Sequence, residues 1–210
     1  MLEFINFILH IDQYLSILIQ TYNIWPYAIL SLIIFLETGL VATPFLPGDS
    51  LLFAAGSFAA LGALNLGLLL TILTLSAIIG DSVNYSIGKY IGPKVFKSES
   101  SILLNKKYLL RTQEFYNKHG KKTIFLARFV PIIRTFAPFI AGIGKMEYTE
   151  FLKYNIIGAI SWTFLFTIGG YLFGNIPIIK ENFSLVILAI IIISFIPILL
   201  ELLKIHKSTS

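Results

Sequence analysis

The sequence predicts an all-α membrane protein: a polytopic helical bundle in which two re-entrant helical hairpins of opposite orientation form an inverted repeat. Three observations predict it. The 210 residues are 56% hydrophobic and only 13% charged, with mean hydropathy +0.82, whereas soluble domains carry roughly 25% charged residues. A chain this apolar cannot cover itself with polar surface, so the bilayer is its solvent. Apolar stretches of membrane-spanning length recur, and two of them are interrupted by prolines. The charges inside those two stretches sort by sign: Glu37 and Asp49 in the first, Arg128 and Arg134 in the second.

The whole chain, 1–210, reads as a single membrane domain. In residues 1–22, Glu3, Asn6, His10, Gln13, Ser16 and Gln20 recur every three or four positions. That places one polar stripe on a helix, either an amphipathic helix in the interface or a first span with its polar face inward. Glu3 and Asp12, with no early Lys or Arg, give the wrong charge pattern for a cleavable signal.

Residues 25–64 are too long for one span of about 20 residues. Pro44, Pro47, Gly48 and Asp49 break them near the middle, because proline removes a backbone donor and stops the preceding helix. The predicted shape is a helix followed by a re-entrant hairpin. Residues 66–90 make a full span. Gly88 and Gly92 form a small-xxx-small pair suited to close helix packing, and Asp81 and Tyr85 lie near the span's end as secondary candidates, Asp81 as a local cap or pair.

Residues 92–122 are polar and basic. The net charge of +5 is concentrated between Lys89 and Lys122. Basic excess confined to one segment marks the cytoplasmic side, not nucleic-acid binding. Residues 123–144 repeat the broken pattern, with Pro131 and Pro138 as predicted breaks. Polar, lysine-bearing flanks on both sides make this segment enter and leave from the cytoplasm. Residues 154–173 and 183–203 are further spans, and Lys204 and Lys207 hold the C-terminus in the cytoplasm. The broken segment before 66–90 therefore dips in from outside and the second from inside, an arrangement of many secondary transporters.

A charge at the bilayer centre costs roughly 2.5–3.5 kcal/mol on insertion scales, so the four must be compensated. One reading is purely architectural: acids of one hairpin neutralise arginines of the other and fix their packing. Buried pairs are weak stabilisers, however, often replaceable by apolar side chains. The other reading is functional. Arginine grips phosphate or carboxylate bidentately and never loses its charge; half-helix N-termini add positive field; a carboxylate in low dielectric can hold a proton near physiological pH. Arg128 and Arg134 are then anion- or head-group-binding residues, and Glu37 and Asp49 transport or proton-coupling residues. Cysteine is absent. His10, His119 and His206 fall outside the apolar core. No catalytic residue, metal ligand or cofactor is expected, and a membrane phosphatase would lack its nucleophile and base. Trp25, Tyr27 and Trp162 read as interfacial or packing aromatics.

The stretches Phe35-Leu36-Glu37-Thr38-Gly39-Leu40-Val41 with Thr43-Pro44-Phe45-Leu46-Pro47-Gly48-Asp49-Ser50, and Ala127-Arg128-Phe129-Val130-Pro131-Ile132-Ile133-Arg134-Thr135-Phe136-Ala137-Pro138, together with Gly80-Asp81, Asn84-Tyr85 and Gly88, closely resemble the bacterial DedA family, also called the SNARE-associated or VTT-domain family. The resemblance runs from the region of His10 to Ala159. It implies two facing re-entrant hairpins, residence in the bacterial inner membrane and a role in membrane homeostasis. It also implies transport linked to the proton-motive force: some members resemble flippases for undecaprenyl phosphate or phosphatidylethanolamine, and eukaryotic relatives are scramblases. The family's essential acids match Glu37 and Asp49, and its arginines match Arg128 and Arg134. Lys89 stands where the family often has Arg. The expected partners are membrane lipids, as polyprenyl phosphate or phospholipid, and protons, with no nucleic acid; self-association is open. A rival expectation is a proton-coupled exchanger of small cations or drugs, with the acids as its cation site.

Overall fold

The computed structural model describes residues 24–40, 48–95, 106–182 and Val186. Every element among them is helical: α1 (Trp25–Gly39), α2 (Gly48–Ala60), α3 (Leu66–Val95), α4 (Lys106–His119), α5 (Thr123–Ala127), α6 (Pro131–Ile143), α7 (Tyr148–Gly174) and α8 (Pro177–Glu181), with a 3-10 turn at Gly120–Lys122 between α4 and α5. The segment 1–22, the predicted break residues Pro44 and Pro47, and the span 183–203 apart from Val186 lie outside the described residues.

Local chemistry sets the boundaries. Asn65 caps α3, its Oδ1 accepting from the Leu68 amide at 2.9 Å, the bond an N-cap side chain provides. The α2–α3 turn closes through Gly62, at φ +77°. The Ala63 amide donates to Phe58 O at 3.1 Å and the Gly62 amide to Ala59 O at 3.0 Å, the paired bonds of a left-handed helix cap. The same pair ends α6 at Lys145, which takes φ +53° without being glycine. Pro131 opens α6 at its first turn after an extended Val130. Proline's fixed φ suits that position, and it pushes the preceding residue out of helical geometry. Pro138, expected as a second break, sits inside α6 and the helix runs through it. It withholds one i−4 hydrogen bond without ending the element.

At 1.5 Å per residue, the 30 residues of α3 and 27 of α7 exceed the bilayer's hydrocarbon thickness of about 30 Å. Leu66–Tyr90 and Tyr148–Gly174 are long and apolar enough to cross a membrane; the second begins earlier than the predicted 154–173. The 13 residues of α2 and of α6 reach only about 20 Å. The basic segment 92–122 is not simply a loop: α3 continues to Val95 and α4 occupies Lys106–His119.

The described residues divide into two compact units. One holds those within 1–30, 47–70 and 164–210; the other holds those within 31–46 and 71–163. In the first, α2 meets the end of α7 backbone to backbone. A Cβ on Gly56 would lie 2.0 Å from Thr167 O, and one on Gly170 would lie 1.9 Å from Phe53 O. Ser57 donates to Gly170 O at 3.0 Å, Phe53 and Phe173 pack with ring centroids 5.3 Å apart, and the Asn65 amide donates to the Tyr27 hydroxyl at 2.7 Å. In the second, α3 packs on α6 the same way. A Cβ on Gly88 would meet Phe139 O at 2.1 Å, and one on Gly142 would meet Tyr85 O at 2.1 Å. Tyr85 donates to Met146 O and stacks on Phe151 at 4.6 Å between centroids, in an apolar cluster with Ile124, Ala127 and Ile133.

Polarity is turned inside out. Glu37, Asp81, Asn84, Arg128, Arg134 and Asn155 are buried, while Leu75, Ile79, Ile157, Leu165 and Leu172 are more than half exposed. Water would reverse that distribution, whereas lipid accepts it because the polar groups find partners inside the bundle.

Candidate functional site

The site lies wholly in the second unit. Arg134, in the first turn of α6, pairs with Glu37 near the end of α1. Glu37 is fully buried and Arg134 is 5% exposed. Arg128, at the break between α5 and α6, pairs through Nη2 with Asp81 Oδ2 of α3 at 2.5 Å. The same nitrogen donates to Asn155 Oδ1 of α7 at 2.5 Å. Asn155 is itself fixed, its Nδ2 donating to Ile78 O at 3.0 Å. Trp162, fully buried on α7, lies against both guanidinium groups: its ring centroid is 5.0 Å from Arg134 Cζ and 5.9 Å from Arg128 Cζ. A π-face in a desolvated setting stabilises a cation by about 2 kcal/mol.

Two further residues shape the site. Asn84 Nδ2 donates to Thr38 O at 2.9 Å and to Thr135 O at 2.8 Å. It thus ties the residue after Glu37 to the residue after Arg134. Gly158 makes room for Arg128, since a Cβ there would come within 2.9 Å of Arg128 Cδ and 3.0 Å of Nε.

Two ion pairs leave the cluster formally neutral, but they do not use up its hydrogen-bonding capacity. Among the described residues, Arg128 Nε and Nη1, Asp81 Oδ1 and Asn84 Oδ1 are buried without a hydrogen-bond partner. Nε carries one proton and Nη1 two, so three N–H donors of one buried guanidinium are open. Buried donors are nearly always paired, and exceptions cluster where a strain, an ion or a ligand explains them.

Of the residues singled out from sequence, Glu37, Arg128 and Arg134 come together with Asp81. Asp49 belongs to the other unit, in the first turn of α2; Gly48 opens that helix. The two arginines do not draw their partners from the first broken segment alone. Arg128 takes Asp81 from the span α3, so Asp81 is its ion-pair partner rather than a local cap. Tyr85 is a core hydroxyl of the same helix. Sequence reading missed Asn84, Asn155 and Gly158 as site residues and took Trp162 for packing. The available signal was spacing: Asp81 and Asn84 share a face of α3, as Asn155, Gly158 and Trp162 share one of α7.

Comparison with known proteins agrees with this inside-out chain. The VTT domain family matches residues 46–172. Protein DedA of Escherichia coli (strain K12) is 53% identical over 205 residues, 97% of this chain and 93% of that protein. An uncharacterized membrane protein of Mycobacterium tuberculosis (strain H37Rv) is 43% identical over 179 residues, 84% and 78% of the two chains. Inner membrane protein YqjA of Escherichia coli (strain K12) is 33% identical over 152 residues, 72% and 69%. No solved structure matches. With a family match over more than half its length and a relative alike from end to end, this chain belongs to the DedA family of VTT-domain membrane proteins.

Proposed function

We propose that the protein is a transporter rather than an enzyme: a flippase that moves a lipid with an anionic head group, a polyprenyl phosphate such as undecaprenyl phosphate or a phospholipid, and couples that movement to protons. The observation that carries this reading is the buried guanidinium of Arg128 with three open N–H donors, beside a second buried guanidinium at Arg134. Arginine in that state suits a phosphate or carboxylate. The carboxylate partners supply groups able to exchange protons as the anion comes and goes. Glu37 serves this role at Arg134, and Asp49, in the first turn of α2, is a further candidate.

In this reading α2 and α6, too short to cross, are the inner arms of two re-entrant hairpins entering from opposite faces in an inverted repeat. The basic segment 92–122 and the C-terminus face the cytoplasm of a bacterial cell whose inner membrane holds the protein. The relative YqjA, named as an inner membrane protein of Escherichia coli, supports that location.

The test is a head-group-resolved flip assay. Purified protein in liposomes is given fluorescent polyprenyl phosphate, phosphatidylglycerol or phosphatidylcholine, with and without an imposed pH gradient. The reading expects flipping of anionic lipids, faster with the gradient and lost in Arg134→Ala. Flipping that ignores the head group, or persists in that variant, sinks it. Transport that instead follows an added small cation favours the exchanger.

A further inference from the structure

Arg128 is held by two groups of different kind, and the difference has a thermodynamic consequence. Asn155 is neutral, anchored to Ile78 O, and can keep its bond to Nη2 whatever the charge nearby. Asp81 carries the compensating charge at 2.5 Å, yet uses only one oxygen: its Oδ1 has no partner among the described residues. Asp81 is therefore the one charged group that shares Arg128 Nη2 with a neutral partner.

An anion arriving at Arg128 competes with Asp81 for the same cation. A buried carboxylate deprived of its cation costs several kcal/mol, and it avoids that cost by taking a proton. The groups acting on Asp81 do not replace Arg128. Arg134, of α6, acts on it less strongly than Arg128 and is already paired with Glu37. Tyr116 of α4 acts on it too, but its phenol is held well above the usual range by burial first and by Asp81 and Tyr85 next, so it stays neutral and cannot balance a charge.

Resting on the flippase reading above, we propose that Asp81 is the internal occupant of the Arg128 anion subsite, and that an oxyanion of the phosphate class binds Arg128 in exchange for it, with one proton taken up from bulk water onto Asp81. Asn155 and Trp162 act as positioning residues that keep the guanidinium in place during the exchange. By linkage, protons and anion then favour each other's binding equally.

The decisive measurement is titration calorimetry of the whole protein in neutral detergent, repeated in buffers of different ionisation enthalpy. The probes are dihexanoyl phosphatidylglycerol, a diester whose charge is constant over the range, sodium sulfate, and zwitterionic dihexanoyl phosphatidylcholine. Wild type is expected to bind the anionic lipid with uptake of about one proton, its affinity falling about tenfold per pH unit once Asp81 must be protonated to bind. Asp81→Asn is expected to bind more tightly, without proton uptake and with little pH dependence. Sulfate binding alongside the lipid makes the subsite one for free oxyanions; lipid binding alone makes it a head-group subsite, and either result supports the proposal. Wild-type binding without proton uptake, or an Asp81→Asn protein that keeps the wild-type uptake, overturns the proposal and leaves the flippase reading standing. Failure of wild type to bind any anionic probe overturns both. If Asp81→Asn does not fold, the wild-type proton count decides alone.

Discussion

Glu37 and Arg134 are worth little as a pair and much as partners. Each is buried, so removing one leaves the other uncompensated, at about 3–5 kcal/mol. Arg134→Ala therefore combines loss of stability with loss of function, and detergent melting must accompany any transport assay. The double variant Glu37→Gln/Arg134→Gln separates the two effects. It removes both charges and keeps a polar amide at each position, so no buried charge is left unpaired; its melting temperature is expected well above that of Arg134→Ala while anionic-lipid flipping is lost. Wild-type flipping by this double variant would show that the charges serve packing alone. The carboxylate–arginine chemistry was legible from residue type and apolar surroundings. The partner of Arg128 was not, because Asp81 is 47 positions away on a helix whose rotation the sequence does not state.

Among elements, α3 and α6 approach so closely that backbone meets backbone at Gly88 and Gly142. This contact sets the register that places Asp81 and Asn84 against the α5–α6 break. A side chain at Gly88 cannot be relieved by a rotamer change, since the atom it meets is the Phe139 carbonyl oxygen. Gly88→Leu is expected to destabilise by at least the about 1–3 kcal/mol of an overpacked core, read as a lower melting temperature and lost anion binding. Gly88 was identifiable as half of a small-residue pair, but the helix it would meet was not. Pro138 shows the opposite case: a residue that reads as a break is absorbed inside α6. The long-range packing of Phe136, Phe139 and Ile140 into a buried cluster holds the helix through one missing hydrogen bond.

For the molecule as a whole, the proposed orientation in the membrane rests on charge. Reporter fusions after His119 and after the C-terminal Ser210 are expected to be active with a cytoplasmic reporter and silent with a periplasmic one. A periplasmic signal at His119 would reverse the orientation derived from the basic segment.

What the sequence determined by itself was the solvent and the segmentation. Apolar content demanded lipid, two long helices cover the stretches 66–90 and 154–173 and run past them, and Pro131 marked where α6 begins, because hydropathy and proline chemistry act locally. What only the tertiary structure decided was partnership: Arg128 with Asp81 and Asn155, Arg134 with Glu37, and Trp162 against both. Those contacts depend on how helices far apart in sequence rotate and slide until small residues let their backbones touch. No local propensity encodes that choice, and it brings Glu37, Asp81, Arg128 and Arg134 into a neutral cluster with open donors.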